Sequence, residues 1–219
     1  GGTVADFNND GNLDIVGYGS ILNNSRIYLW NNSGGFSAWT IISGTTVFQN
    51  GYAADFNNDG NLDIVGFGAY NNASKVWIGN GSGNFSIVDL GSTSFIGGSV
   101  ADFDGDGNLD IVGYGKLASQ TIIFMGDGLG WFIANNLWLT SFYQGTVADF
   151  DGDGNLDIVG YGRENNQTMV YKGDGAGGFT STNLWITKFV GGTVADFNND
   201  GNLDIVGYGI DSNPTIIYI

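Results

Sequence analysis

The sequence predicts an all-β protein, a β-propeller of four-stranded antiparallel blades, about five in number. Three observations predict it. The run Asp-Phe-Asn-Asn-Asp-Gly-Asn-Leu-Asp-Ile-Val-Gly-Tyr-Gly starts at Asp6 and returns, little changed, at Asp55, Asp102, Asp149 and Asp196, spacings of 49, 47, 47 and 47 residues. A fixed period in this range marks a solenoid, an array or a propeller. Each of the first four units also holds four short β-type runs separated by Gly, Asn and Asp turn chemistry. No stretch carries the apolar period of roughly 3.6 that a helix needs, which removes helical arrays, and a parallel β-helix would use far shorter coils.

The first unit sets the pattern. Thr3-Val4-Ala5-Asp6-Phe7 is a β-type run that enters an Asp/Asn/Gly turn, and Leu13-Asp14-Ile15-Val16-Gly17-Tyr18 follows as the second strand. A polar loop at 20–25 precedes the third run, Arg26-Ile27-Tyr28-Leu29-Trp30. Residues 31–35 turn the chain into a fourth run at 36–42. A single Pro in 219 residues suits a sheet protein whose turns are made by Gly and Asn. The reading is one domain over 1–219, with repeats at about 1–49, 50–96, 97–143, 144–190 and an incomplete 191–219. The last unit reaches only its third strand, so Thr215-Ile216-Ile217-Tyr218-Ile219 would be a bare apolar edge, and three outcomes are open: a ring closed at five blades with one incomplete, self-association or pairing of the edge with another chain, or a sequence that is a piece of a larger propeller.

Composition narrows the function. The chain carries 22 acidic and 6 basic residues, a net charge of −16, which excludes a nucleic-acid partner because nothing could neutralise a row of phosphates. It has no Cys and no His, so disulfide frameworks, thiolate metal sites and most zinc chemistry are absent. Acidity of this size often signals disorder, but 14% aromatic and 42% apolar content argue for a packed core.

The acids are not scattered. Each unit repeats the spacing Asp-x-(Asn/Asp)-x-Asp-Gly-x-Leu-Asp, and these loops hold 17 of the 22 acids. The candidate ligands are Asp6, Asn8, Asp10 and Asp14, with the Asn12 carbonyl between them. The next loops offer Asp55, Asn57, Asp59, Asn61 and Asp63, then Asp102, Asp104, Asp106, Asn108 and Asp110. The last two offer Asp149, Asp151, Asp153, Asn155 and Asp157, then Asp196, Asn198, Asp200, Asn202 and Asp204. Calcium takes six to eight oxygens, and a loop presenting one at every second residue can wrap it. Gly11 permits the bend that brings the later positions onto the same ion. Up to five calcium ions are expected, one per repeat, bound most tightly by the third and fourth loops with their extra Asp. An EF-hand is excluded, since its twelfth position is Gly17 rather than Glu and the flanks are strands.

This loop, followed by Ile-Val-Gly-Tyr-Gly, resembles the FG-GAP/VCBS repeat, the calcium-loop blade of integrin-α-like propellers. The run Leu62-Asp63-Ile64-Val65-Gly66-Phe67-Gly68, with Val76-Trp77-Ile78 and Gly81-Ser82-Gly83-Asn84-Phe85, is similar to Psathyrella-type propeller lectins. That resemblance implies multivalent carbohydrate binding, with sugars held between neighbouring blades. The other expectation is a calcium-stabilised structural or adhesion module that binds a protein partner.

In an up-and-down blade the calcium loops share one face and the loops between second and third strands share the other. Arg26, Lys75, Lys116 and Arg163 lie in or beside those opposite loops, and Lys188 lies in a linker between units. The same loops differ most between repeats, which is where recognition is usually built on a rigid scaffold. Candidate sugar-stacking rings are Tyr18, Phe67, Tyr114, Tyr161 and Tyr208, which end the second strands, with Trp138 and Trp185 in fourth strands. Asn24, Asn72 and Asn166 are candidate amide partners. Phe48, Phe95, Phe142 and Phe189 recur every 47 residues; these rings and the stacking candidates alike read either as wedges between blades or as floors for sugar rings.

Catalysis is not expected. Every acidic motif recurs five times, Glu164 is the sole Glu, and without His or Cys the common nucleophile triads cannot form. No apolar run is long enough to span a bilayer as a helix. Calcium dependence implies a secreted or cell-surface setting, where the ion is plentiful.

Overall fold

The computed structural model describes residues 1–19, 25–31, 33–41, 48–68, 73–91, 94–115, 120–137, 141–162, 168–184, 189–209 and 214–218. Among them lie nineteen strands and no helix. The first sheet comprises β1 (Gly2–Ala5), β2 (Asp14–Gly17), β3 (Arg26–Trp30) and β4 (Phe36–Ile41). The second comprises β5 (Phe48–Ala54), β6 (Asp63–Gly68), β7 (Lys75–Gly79) and β8 (Phe85–Asp89). The third holds β9 (Phe95–Ala101), β10 (Asp110–Gly115), β11 (Ile122–Gly126) and β12 (Phe132–Asn136). The fourth holds β13 (Phe142–Ala148), β14 (Asp157–Gly162), β15 (Met169–Gly173) and β16 (Phe179–Asn183). The fifth has three strands, β17 (Phe189–Ala195), β18 (Asp204–Gly209) and β19 (Ile216–Tyr218).

Strand order follows chain order in every sheet, which is the meander of a propeller blade. The all-β blade architecture expected from the repeat is therefore present, with three strands of the fifth sheet among the described residues. Registers repeat from blade to blade: Ala5 faces Asp14, Ala54 faces Asp63, Ala148 faces Asp157 and Ala195 faces Asp204. The acidic loop is thus always the hairpin between a blade's first two strands.

Residues 1–97 and 126–133 form one compact unit; residues 98–125 and 134–219 form the other. In the first unit, Phe7, Val16, Ile27, Phe48, Ile64 and Trp77 make one buried cluster. Phe48 meets Trp77 edge-on at 4.8 Å. In the second unit, Phe142 packs edge-on to Tyr171 at 6.1 Å, and Phe189 lies with Val159, Tyr161, Val170 and Ile205. Phe48, Phe95, Phe142 and Phe189, expected as wedges, are all buried to 1% exposure or less. Glycine makes their seats: a side chain at Gly160 would collide with the Phe142 ring, and one at Gly207 with the Phe189 ring.

Candidate metal centre

The acidic loops are shaped by backbone bends that their sequence provides for. Gly11, Gly60, Gly107, Gly154 and Gly201 all sit at φ between 84° and 92°, where a Cβ would strain the chain. Two residues earlier, the third and fourth loops use Gly105 and Gly152. The other three use Asn9, Asn58 and Asn199 at φ of 54° to 59°, a region that Asn tolerates better than most residues. The difference between Asp-Gly and Asn-Asn loops is therefore one substitution pair at a shared turn.

The first Asp of each loop anchors that turn. Asp6 accepts hydrogen bonds from the amides of Asp10 (3.2 Å) and Gly11 (2.8 Å), and Asp55 does the same for Asp59 and Gly60. Asp102 accepts from Gly105 and Gly107, and Asp149 from Gly152 and Gly154. Asp196 accepts from Asp200 and Gly201. The fifth-position Asp takes the next amide: Asn12 donates to Asp10, Asn61 to Asp59, Asn108 to Asp106, Asn155 to Asp153 and Asn202 to Asp200.

Charge separates the loops into two classes. In the third and fourth, carboxylate oxygens of Asp102, Asp104 and Asp106, and of Asp149, Asp151 and Asp153, lie within 4.8 Å of one another. Burial, with the charges of Asp106 and Asp102 close by, raises the Asp104 carboxyl above its ordinary value. In the other loops the third position is Asn, and its amide donates to the neighbouring acid: Asn8 to Asp10 (3.3 Å), Asn57 to Asp59 (3.0 Å), Asn198 to Asp200 (3.0 Å). Those loops partly satisfy themselves. Three converging oxygen anions fit a hard cation such as calcium, which the loop would bind through Asp102, Asp104 and Asp106 or through Asp149, Asp151 and Asp153.

A residue that sequence reading missed divides the two acidic loops. Lys172, at the end of β15, donates to Asp151 at 3.0 Å and lowers its carboxyl below the ordinary value. The fourth loop is therefore partly neutralised by its own blade. Alignment of the third strands carried the signal, since the equivalents of Lys172 are Leu29, Ile78 and Met125.

The ninth-position acids occupy a different place. Asp14, Asp63, Asp110 and Asp157 are 0% exposed and Asp204 is 2% exposed. Neither three-carboxylate cluster includes one of them. Asp63 accepts hydrogen bonds from the amides of Phe56 and Gly79, both at 2.7 Å. Asp14 takes Phe7 and Trp30 likewise, and Asp157 takes Phe150 and Gly173. Each carboxylate thus ties the turn after the first strand to the end of the third. Burial pushes Asp63 up to about 6 against the pull of the Gly79 and Phe56 amides, and raises Asp157 for the same reason. A second clamp went unread in the sequence: Ser25, Ser74, Thr121 and Thr168, all buried, accept the amides of Gly19, Gly68, Gly115 and Gly162. The recurrence of a hydroxyl residue just before each third strand was the available sign.

The ring candidates divide. Phe67, Tyr114 and Tyr161 are buried to 1% exposure or less, so the structure gives these rings to packing, and they present no face on which a sugar could stack. Tyr114 and Tyr161 also share hydrogen bonds with Ser99 (2.9 Å) and Thr146 (3.1 Å). Tyr18 is half-buried and bonded to Thr3 at 2.6 Å, while Tyr208 is 44% exposed. Trp138, Trp185, Asn24, Asn72 and Asn166 lie outside the described residues.

The sequence profile of the FG-GAP-like repeat matches residues 6–66, 55–113 and 149–207. No curated protein matches the chain.

Proposed function

The chain belongs to the FG-GAP-like repeat family, and on that premise we propose that it is a calcium-binding, non-catalytic propeller module that presents variable loops to glycans. The observation that carries the calcium reading is the pair of three-carboxylate clusters in the third and fourth loops. Calcium there would offset like charges that the chain leaves together, and it would lock the hairpin on which each blade is built. The role is structural: a metal-set scaffold holds the loops between second and third strands in place. Repetition of a weak site across blades would then gain strength through avidity. A calcium requirement would suit a secreted or cell-surface protein, where the ion is plentiful.

A second reading is favoured by the burial of Phe67, Tyr114 and Tyr161. With those rings inside, the module would be a calcium-stabilised adhesion or structural unit that binds a protein partner and no sugar. A glycan array, read in calcium and again in chelator, separates the two. Binding of one sugar family in calcium, lost in chelator, supports the lectin reading. Silence in both conditions favours the adhesion module. Calorimetric titration of the metal-free protein tests the premise they share. The third loop should fill first, the fourth next because Lys172 competes for Asp151, and the Asn-containing loops last. Absence of heat and of calcium uptake would remove both readings.

A further inference from the structure

In the first four blades the turn between third and fourth strands is built alike. One side chain accepts the amides two and four residues on: Asn31 from Ser33 and Gly35, Asn80 from Ser82 and Asn84, Asp127 from Leu129 and Trp131, Asp174 from Ala176 and Gly178. Glycines at positive φ complete the bend in the third blade, Gly128 and Gly130, as Gly81 and Gly83 do in the second. The geometry therefore leaves the intervening positions free in character. The other blades give them small or polar residues, in the second blade Ser82, Asn84 and Ser86. The third blade alone puts Leu129, Trp131 and Ile133 there.

These three side chains are not packed. They are 75%, 69% and 75% exposed. Phe132 turns inward, edge-on to Phe56 at 5.9 Å, so strand alternation sends Trp131 and Ile133 outward. The hairpin is also braced in that pose. The Asp127 amide donates to the Trp131 carbonyl at 3.1 Å, and Gly130 fits so closely that a Cβ would meet Ile78 at 3.2 Å. The apolar area on offer is on the order of 300 Å², a size that marks a contact surface.

Charge says what that surface fits. The chain carries 22 acids, yet over residues 117–148 Asp127 is the sole charged residue. Its carboxylate is engaged by the Leu129 and Trp131 amides at 2.8 and 3.0 Å, so the hairpin offers a basic protein surface little to pair with. A second copy is disfavoured twice. Each chain carries −16, and a stable dimer buries about 800 Å² per partner, well beyond three side chains. An uncharged surface that yields around projecting apolar groups suits the hairpin better, and Trp is a residue that belongs at the boundary between lipid and water.

We propose that the third-blade hairpin is a lipid-contact site: Leu129, Trp131 and Ile133 enter the headgroup layer of a zwitterionic bilayer and hold the protein there weakly and reversibly.

The test is flotation of the full chain with phosphatidylcholine vesicles at physiological salt. Half-binding is expected at a lipid concentration on the order of 1 mM, weaker than a single myristoyl chain provides. The second blade supplies the control. Leu129→Ser, Trp131→Asn and Ile133→Ser together give the third hairpin the residues of the second, so the melting temperature should be kept while binding falls by about tenfold or more. Vesicles of brominated lipid should quench the parent's tryptophan fluorescence, and Trp131→Phe should float like the parent with that quenching lost. A parent that does not float would overturn the assignment and return the hairpin to a protein partner. Equal flotation of the triple variant would also overturn it, as would binding confined to vesicles containing cationic lipid, which is attraction to the net charge alone. So would a dimer that the triple variant makes monomeric, since the hairpin would then belong to a second copy.

Discussion

Asp63→Ala will lower the melting temperature of the metal-free protein by roughly 10 °C, although the residue sits in a loop read as a calcium site. The substitution leaves the amides of Phe56 and Gly79 in a buried place without an acceptor. Each orphaned buried amide costs about 1–3 kcal/mol, so a loss of roughly 3 kcal/mol is the expected scale against a total of about 5–15 kcal/mol. Melting in chelator is the decisive condition, because a residue that acts only as a metal ligand would not change stability there. Asp63→Asn should fall between parent and Ala variant, since it keeps one acceptor oxygen and turns a donor toward the other amide. A melting point for Asp63→Ala within about 2 °C of the parent in chelator would refute the clamp.

The fold was legible because its strongest signals are local. The turn after each first strand needs a residue at positive φ, and Gly11, Gly60, Gly107, Gly154 and Gly201 mark that point on the page. Strand phase follows from there, down to a fifth unit that reaches only its third strand. The acids of the loop were harder, because one motif serves two purposes. Asp55 and Asp63 look alike in spacing, yet one lies on a half-exposed turn and the other is sealed beneath it. What separates them is the third strand, whose amides come within reach only after the blade has formed. The same limit applies to Phe67, Tyr114 and Tyr161. An aromatic at the end of a second strand reads equally as a binding platform or as packing, and contact from the next blade decides it. Gly145 and Gly192 record that contact, since a side chain at either would strike the ring of Tyr114 or Tyr161.

Calcium will raise the melting temperature by roughly 10–20 °C at neutral pH, with most of the gain from the third and fourth loops. An ion at about 100 times its dissociation constant contributes roughly 2.7 kcal/mol per site, so two filled sites give on the order of 5 kcal/mol. The gain will depend on pH in a direction that the carboxyl groups dictate. Asp63, pushed up to about 6, and Asp157, also raised, bind protons more readily in the folded chain than at the ordinary value of 3.8. The contribution of Asp63 to metal-free stability is complete below about 3.8 and is lost as pH rises through about 6, and that of Asp157 runs in the same direction. Asp10, Asp59, Asp106 and Asp200 are lowered by hydrogen bonds from their loops and act in the opposite sense, but they are exposed and screened. Calcium needs its ligands ionised, and Asp104, raised by burial among like charges, gives up its proton less readily than an ordinary carboxyl. Metal-free and calcium-loaded melting curves should therefore separate as pH rises from 4 to 7. Asp104→Asn should reduce the calcium-dependent gain at pH 7 by bringing the third loop to the charge of the first, second and fifth, and it should leave the melt in chelator little changed. A calcium-dependent gain equal at pH 4 and pH 7, or one unaffected by Asp104→Asn, would show that the stabilising ion is not held by these carboxylates.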